Sequence, residues 1–259
     1  MSASAPAVPP MPLAALRVDG LSKVYGQGSA AVHALDGISL EVAAGELLCL
    51  VGASGCGKST LLNLIAGLDT PSAGTIDARG RVALMFQEAA LFPWLTVRRN
   101  VELALRLRGV PRRDRAREAD QLLRTVHLDG FGDKRPHELS GGMRQRVAIA
   151  RAFAQEADIL LMDEPFGALD AMTRDLLHAE LERLWADRNL SVVFVTHNVR
   201  EAARLADRVV LLSSRPGRVV HEFAVDIERP RRMDSPEVSS LAADITDELR
   251  QEVRRHAHV

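Results

Sequence analysis

The chain has 259 residues, enough for one large domain, or a core domain with a small insertion, around a sizeable hydrophobic core. Its 33 Lys and Arg against 34 Asp and Glu leave a formal net charge of −1, which argues against a basic nucleic-acid binder, and 4% aromatics leave little for a base-stacking platform. With 47% apolar and 26% charged residues wholesale disorder is excluded, while two cysteines, Cys49 and Cys56, cannot staple a chain this long and suit a reducing compartment.

Residues 1–12 read as a loose Pro/Ala-rich leader, without the basic start or clean apolar segment of a secretion signal. Short strands follow. Residues 16–19 alternate, residues 35–42 carry branched and apolar side chains between turn signals, and residues 46–51 form a continuous apolar run of the kind a buried parallel strand needs. An amphipathic helix is expected over 58–68, with Leu61, Leu62, Ile65 and Leu68 on one face. Further strands are expected at 82–86, 159–162, 192–195 and 209–212, and strands alternating with helices predict an α/β sheet.

The middle of the chain reads as helices over 97–108, 115–126 and 144–154, so residues 95–157 are expected to form a helical subdomain inserted in the α/β core. Leu176, Leu177, Leu181 and Leu184 mark another helix before the strand at 192. A single domain is therefore expected over 13–240. Residues 241–259 read as a charged tail with the late histidines His256 and His258, and no chemistry is assigned to it. No apolar stretch approaches the ~20 residues of a membrane helix, so work at a membrane would need a partner to supply the spans.

The sharpest motif is Gly52-Ala53-Ser54-Gly55-Cys56-Gly57-Lys58-Ser59-Thr60, set between a buried strand and an amphipathic helix. Glycines let the backbone turn tightly enough for successive N–H groups to face phosphate oxygens, and the following helix adds its positive N-terminal end. Lys58 is placed to reach β and γ phosphates, and Ser59 to offer its hydroxyl to Mg²⁺. A glycine-rich turn could merely link strand to helix, but lysine and serine in register favour nucleotide binding.

The second motif is Ile159-Leu160-Leu161-Met162-Asp163-Glu164-Pro165. Here two carboxylates emerge at the C-terminal edge of a buried strand, where ligands of open α/β sheets gather. Standing alone, such a pair is more often a solvated turn. Beside the loop at 52–60 it reads as ATP-hydrolysis machinery, with Asp163 serving Mg²⁺ and Glu164 orienting or deprotonating a water.

Leu139-Ser140-Gly141-Gly142-Met143-Arg144-Gln145-Arg146 adds a third motif, in which Ser140 can cap a helix while Gly141 and Gly142 permit close phosphate approach. With the three motifs in this order, the chain resembles the ATP-binding cassette (ABC) ATPases over roughly residues 16–225. The resemblance implies a P-loop NTPase (RecA-like) α/β core of the ABC type, an antiparallel β part and the inserted helical subdomain. It further implies that Tyr25 stacks on adenine, that Gln87 touches the Mg²⁺ and water region, that His197 contacts the γ-phosphate, and that Asp170 belongs to a loop crossing a dimer interface. Gly52, Ser54, Gly55, Cys56, Gly57, Lys58, Ser59 and Thr60 of one subunit would then face Ser140, Gly141 and Gly142 of a second cassette, burying ATP between them.

Finer features are similar to one group within that family. Leu91-Phe92-Pro93-Trp94 after the glutamine looks like the nitrate, taurine and alkanesulfonate importers, and Glu164-Pro165-Phe166-Gly167-Ala168-Leu169-Asp170 is similar to the same group and to importers of other solutes, the alternative class. The resemblance implies a homodimer on the cytoplasmic face of a bacterial membrane, working with permease subunits and an extracellular solute-binding protein. Phe92 and Trp94 either belong to the core of the subdomain or sit exposed on a bend where a permease helix docks.

Overall fold

A computed structural model describes residues 14–256 of the chain; the leader expected over 1–12 and His258 lie outside them. The chain opens with β1 (Ala14–Tyr25) and β2 (Val32–Ala43), continues with β3 (Leu47–Gly52), α1 (Lys58–Ile65), β4 (Ala73–Ala78) and β5 (Val82–Met85), and then enters three helices, α2 (Val97–Arg108), α3 (Arg112–Thr125) and α4 (Gly141–Phe153). It returns through β6 (Ile159–Asp163), α5 (Ala171–Arg188), β7 (Ser191–Val195), α6 (Val199–Leu205), β8 (Arg208–Leu212) and β9 (Val219–Ala224), and closes with α7 (Pro236–His256).

These strands make two sheets. One is antiparallel in the order β2-β1-β4; the other runs β5-β6-β7-β3-β8-β9 and is parallel except for β9. The central strands explain the long apolar runs of the sequence, because both of their faces are covered. Successive side chains point to opposite faces of a strand. Leu47, Cys49 and Val51 of β3 therefore join Leu160, Met162, Val192 and Phe194 in a core shared with α2–α5. Leu48 and Leu50 join Ile159, Leu161, Val193 and Val195 in a second core against α1 and the antiparallel sheet.

Differences from the sequence reading have local causes. The strand expected at 16–19 extends to Tyr25 because register shifts after Val18 and Leu21 let β1 keep pairing beyond its clean alternation. β4 and β9 were not expected. Residues 73–78 are largely exposed and hold only Ile76 as a large apolar side chain, and β9 mixes His221 and Glu222 with its apolar residues. α1 stops at Ile65 rather than Leu68: the N–H groups of Gly67 and Leu68 turn back to the carbonyls of Leu64 and Asn63, and Leu68 ends up exposed. α3 and α4 each begin three residues earlier than expected, α4 because Ser140 Oγ accepts from the Met143 N–H at 3.2 Å.

α7 runs through the position where the charged tail was expected to begin. Val238, Ala242 and Ile245 are buried, the first two with Ala203 of α6. No helix among the described residues is long and apolar enough to cross a membrane.

Candidate active site

The parallel strands deliver the chemistry to one edge of the large sheet. β3 ends at Gly52, β6 at Asp163, β7 leads to His197, and β5 leads to Gln87, so four neighbouring strands discharge into one cleft of about 330 Å³. Tyr25, Ser54, Gly55, Gly57, Ser59 and Thr60 line it together with these residues, Lys58 and Glu164. A larger crevice of about 640 Å³, beside Arg79, Arg81, Asp158 and Arg188, contains none of the expected site residues.

The loop from Gly52 to Gly57 is tightly constrained. Gly57 has φ +100°, and a Cβ there would sit 2.5 Å from Leu35 Cδ2 and 2.9 Å from the Ala34 carbonyl, so the turn into α1 requires glycine. The buried Lys58 Nζ donates to the carbonyls of Gly52 and Ala53, each at 2.9 Å, and lies 3.4 Å from Cys56 Sγ. Lys58 is therefore held at the loop by neutral acceptors. Cys56 is itself buried and faces this lysine; it does not line the cleft.

Asp163 stands beside Ser59 in the cleft. Burial pushes its carboxyl above the usual range; the charge of Glu164 adds to that, while the Ser59 hydroxyl and Lys58 act the other way. Glu164 has φ +46°, an unusual conformation for a glutamate, fixed by its N–H donating to the Val195 carbonyl at 3.0 Å. Its Oε2 accepts from Gln87 Nε2 at 3.3 Å and lies 3.2 Å from His197 Nδ1. Two residues widely separated in sequence, Gln87 and His197, thus converge on one carboxylate oxygen of Glu164. Strain of this kind is tolerated where a rigid frame fixes it, and the frame here is the pairing of β6 with β7.

Tyr25 closes the cleft from the end of β1. It is 42% exposed, its hydroxyl donates to Asp69 Oδ2 at 2.9 Å, and the Lys23 ammonium lies 4.8 Å from the ring centroid while pairing with Asp69 at 2.6 Å. Partial burial, followed by the bond to Asp69, raises the Tyr25 phenol above its ordinary pKa. Asp69 and Lys23 were missed from sequence; the turn Asp69-Thr70-Pro71 was their only signal.

Four expected residues lie elsewhere. Ser140 caps α4, and Gly142 sits so near the chain that a Cβ would be 3.2 Å from the Ala168 carbonyl, whereas Gly141 faces open space apart from the tip of Arg144. Asp170 caps α5 by accepting from the Thr173 N–H at 3.0 Å and its hydroxyl at 2.7 Å, contacts that hold its carboxyl below the usual range. None of Ser140, Gly141, Gly142 and Asp170 lines the cleft, and Gly142 packs against the Ala168–Leu169 segment that leads to Asp170. Phe92 and Trp94 flank a bend ahead of α2, with ring centroids 5.4 Å apart; Phe92 is half-buried and Trp94 is 68% exposed. The buried Asn100 braces that bend through the Phe92 N–H and the Phe92 and Thr96 carbonyls.

The ABC transporter family profile matches residues 35–167, the span from β2 through the loop, the Ser140 motif and the paired carboxylates. The chain belongs to the ABC transporter family. Among curated relatives of this ABC ATPase, the nitrate import ATP-binding protein NrtD of Synechocystis sp. is 47% identical over 220 residues, covering 82% of this chain and 83% of the relative. The taurine import ATP-binding protein TauB of Mesorhizobium japonicum is 49% identical over 219 residues, covering 82% and 85%. A solved dimer of the ATP-binding cassette MJ0796, in a post-hydrolysis state bound to ADP and Pi, superposes with a TM-score of 0.76 at 32% identity, covering 82% of this chain and all of the other. The chain is accordingly an ATP-binding cassette ATPase.

Proposed function

We propose that the protein is the ATP-hydrolysing subunit of an importer for a small oxyanion-type solute, of the nitrate, taurine or alkanesulfonate class. The observation that carries the hydrolytic reading is the meeting of Gln87 and His197 at the Glu164 carboxylate, beside Lys58 and Asp163. Lys58 exchanges the Gly52 and Ala53 carbonyls for β and γ phosphate oxygens. The backbone N–H groups of residues 52–60 and the N-terminus of α1 cradle the phosphates, and Tyr25 stacks on the adenine. Glu164 takes the proton of the attacking water, with Gln87 and His197 fixing its orientation and His197 reaching the γ-phosphate.

Ser59 and Asp163, with the Gln87 amide oxygen, offer hard oxygen donors suited to Mg²⁺, which when bound neutralises charge on the phosphates. No group of three or more His, Cys, Asp or Glu side chains that could hold a metal occurs among the described residues, which fits an ion whose remaining ligands are phosphates and waters.

That Ser140, Gly141, Gly142 and Asp170 stay outside the cleft lining supports a two-cassette arrangement. Each ATP is then completed by the second copy's Ser140 surface, and hydrolysis removes a phosphate contact that held the pair closed. The exposed Trp94, on its braced bend, supports docking of a permease helix at Phe92 and Trp94, which would place the homodimer on the cytoplasmic face of the membrane with a solute-binding protein on the far side. The names of the relatives support the solute class.

Uptake of labelled nitrate, taurine and an alkanesulfonate in cells lacking the gene tests this reading. Restoring the wild-type gene should rescue one of the three, and restoring Glu164→Gln should rescue none. Rescue of none by the wild type, with ATP hydrolysis by the purified protein intact, would overturn the solute class and leave the ATPase standing.

A further inference from the structure

The loop between β8 and β9 brings an arginine into the cleft that neither motif nor relative assigns a role. We infer that Arg215 is a second cationic contact for the phosphate chain, working beside Lys58; the inference rests on the nucleotide reading of this cleft. Arg215 lines the cleft with Ser54, Gly55 and Lys58. Its one hydrogen bond runs from Nη2 to the Gly55 carbonyl at 3.4 Å, the long limit for such a bond, and no carboxylate pairs with it among the described residues. Three positions on, Arg218 is held in an ion pair by Asp36. One arginine of the loop is thus committed to the fold and the other is left facing an anion site.

The loop itself is fixed. Ser213 N–H donates to the Arg218 carbonyl at 2.8 Å, and Ser213 Oγ donates to the Pro216 carbonyl at 2.7 Å. Gly217 exchanges hydrogen bonds with β2, its N–H to Ala34 at 2.9 Å and its carbonyl from Asp36 at 3.0 Å. A Cβ on Gly217 would lie 2.2 Å from the Cys56 carbonyl, so this backbone is pressed against the phosphate loop itself. Arg215 therefore projects from a base packed against the loop at 52–57.

Charge gives the arginine its purpose. Without it, the cleft sets the single fixed cation of Lys58 against the two carboxylates of Asp163 and Glu164, a poor starting balance for a polyphosphate. A guanidinium offers two parallel N–H groups to phosphate oxygens and remains charged at any working pH. It also donates to the Gly55 carbonyl, whose own peptide unit supplies the Cys56 N–H to the loop.

Titration of the full-length protein with MgATP and MgADP tests the assignment. Arg215→Ala should raise both dissociation constants roughly five- to twentyfold, the scale of one charge-assisted hydrogen-bonded contact, and should flatten their dependence on salt. Arg215→Lys should recover part of the loss. The melting temperature without nucleotide should stay at the wild-type value, because the side chain is exposed, whereas Arg218→Ala should lower it by releasing the Asp36 anchor. Dissociation constants within twofold of wild type in Arg215→Ala would overturn the assignment. Failure of the wild-type protein itself to bind MgATP would instead overturn the nucleotide reading on which it rests.

Discussion

Two clusters of charged side chains lie on either side of α6, and they differ in how fully their bonds are made. Behind α6, His178 is completely buried, with Nε2 2.8 Å from Glu201 Oε1 and Nδ1 2.7 Å from Arg204 Nη1. Arg204 can only donate, so Nδ1 accepts and Nε2 carries the proton that goes to Glu201. Arg204 also reaches Asp175 at 3.2 Å and the Arg231 carbonyl at 3.2 Å, while Arg231 spends its donors on the carbonyls of Val225, Ile227, Arg204 and Ala206. Phe166 closes the group edge-on to His178 at 4.5 Å.

Ahead of α6, the cleft around Lys58 and Glu164 is unfinished by the same measure. Glu164 has two long contacts, Arg215 one, Lys58 rests on neutral carbonyls, and Asp163 is buried at the expense of its charge. Buried polar groups need partners, and the protein supplies them all in one cluster but leaves places for a ligand in the other. Completed networks hold elements together; incomplete ones identify where something binds.

The sharpest break in this comparison would come from Glu164→Gln. Removing the base but keeping the shape should slow ATP hydrolysis by about 10²–10⁴-fold, the usual range for a general base. The ATP dissociation constant should stay within a few-fold and the melting temperature near wild type. Phosphate release measured beside calorimetric ATP binding checks both, and hydrolysis within tenfold of wild type would remove Glu164 from the water-activating role.

The buried cluster should fail in the opposite way. Arg204→Ala leaves the buried His178 Nδ1 without its donor and takes a cation from Asp175, which should lower the unfolding free energy by about 1–3 kcal/mol. Hydrolysis per folded molecule should remain within a few-fold. His178→Gln, which keeps one donor and one acceptor, should recover most of the stability. Urea unfolding with parallel rates under stabilising conditions decides it: a normal midpoint with lost hydrolysis would mean that this cluster belongs to the active site after all.

How much of this was legible in the sequence follows from the same distinction between local and assembled contacts. The runs at β3, β6 and β7 announced themselves because strands covered on both faces must be apolar throughout, and the loop at 52–60 because its geometry demands glycines at fixed spacing. β4 escaped because its pairing with β1 rests on backbone hydrogen bonds and leaves most of its side chains in solvent. The cap of α4 was readable at Ser140, yet its place outside the cleft lining depends on how α2–α4 pack as a unit. Asp69 beneath Tyr25 and Arg215 beside Gly55 were missed for the same reason: each meets a partner 44 or 160 residues away, and the one local signal was the turn at Asp69-Thr70-Pro71.

Asp163 gives the finest test of whether the cleft weakens the fold that carries it. Its carboxyl holds a proton more tightly in the folded protein than in the unfolded chain, chiefly because burial penalises the charge. Its contribution to stability is therefore full below the unfolded value of about 3.9 and is lost as pH rises through the higher folded value. At neutral pH the ionised carboxylate costs stability. Asp163→Asn, which is isosteric and uncharged, should melt above wild type at pH 7, and the gap should narrow as pH falls through the raised folded value, where the wild-type carboxyl regains its proton. Melting curves across that range, without nucleotide or divalent ions, check the sign. A variant that melts below wild type at pH 7 would mean that the Ser59 hydroxyl and the Lys58 charge outweigh burial, and Asp163 would then join the completed network behind α6 rather than the unfinished one ahead of it.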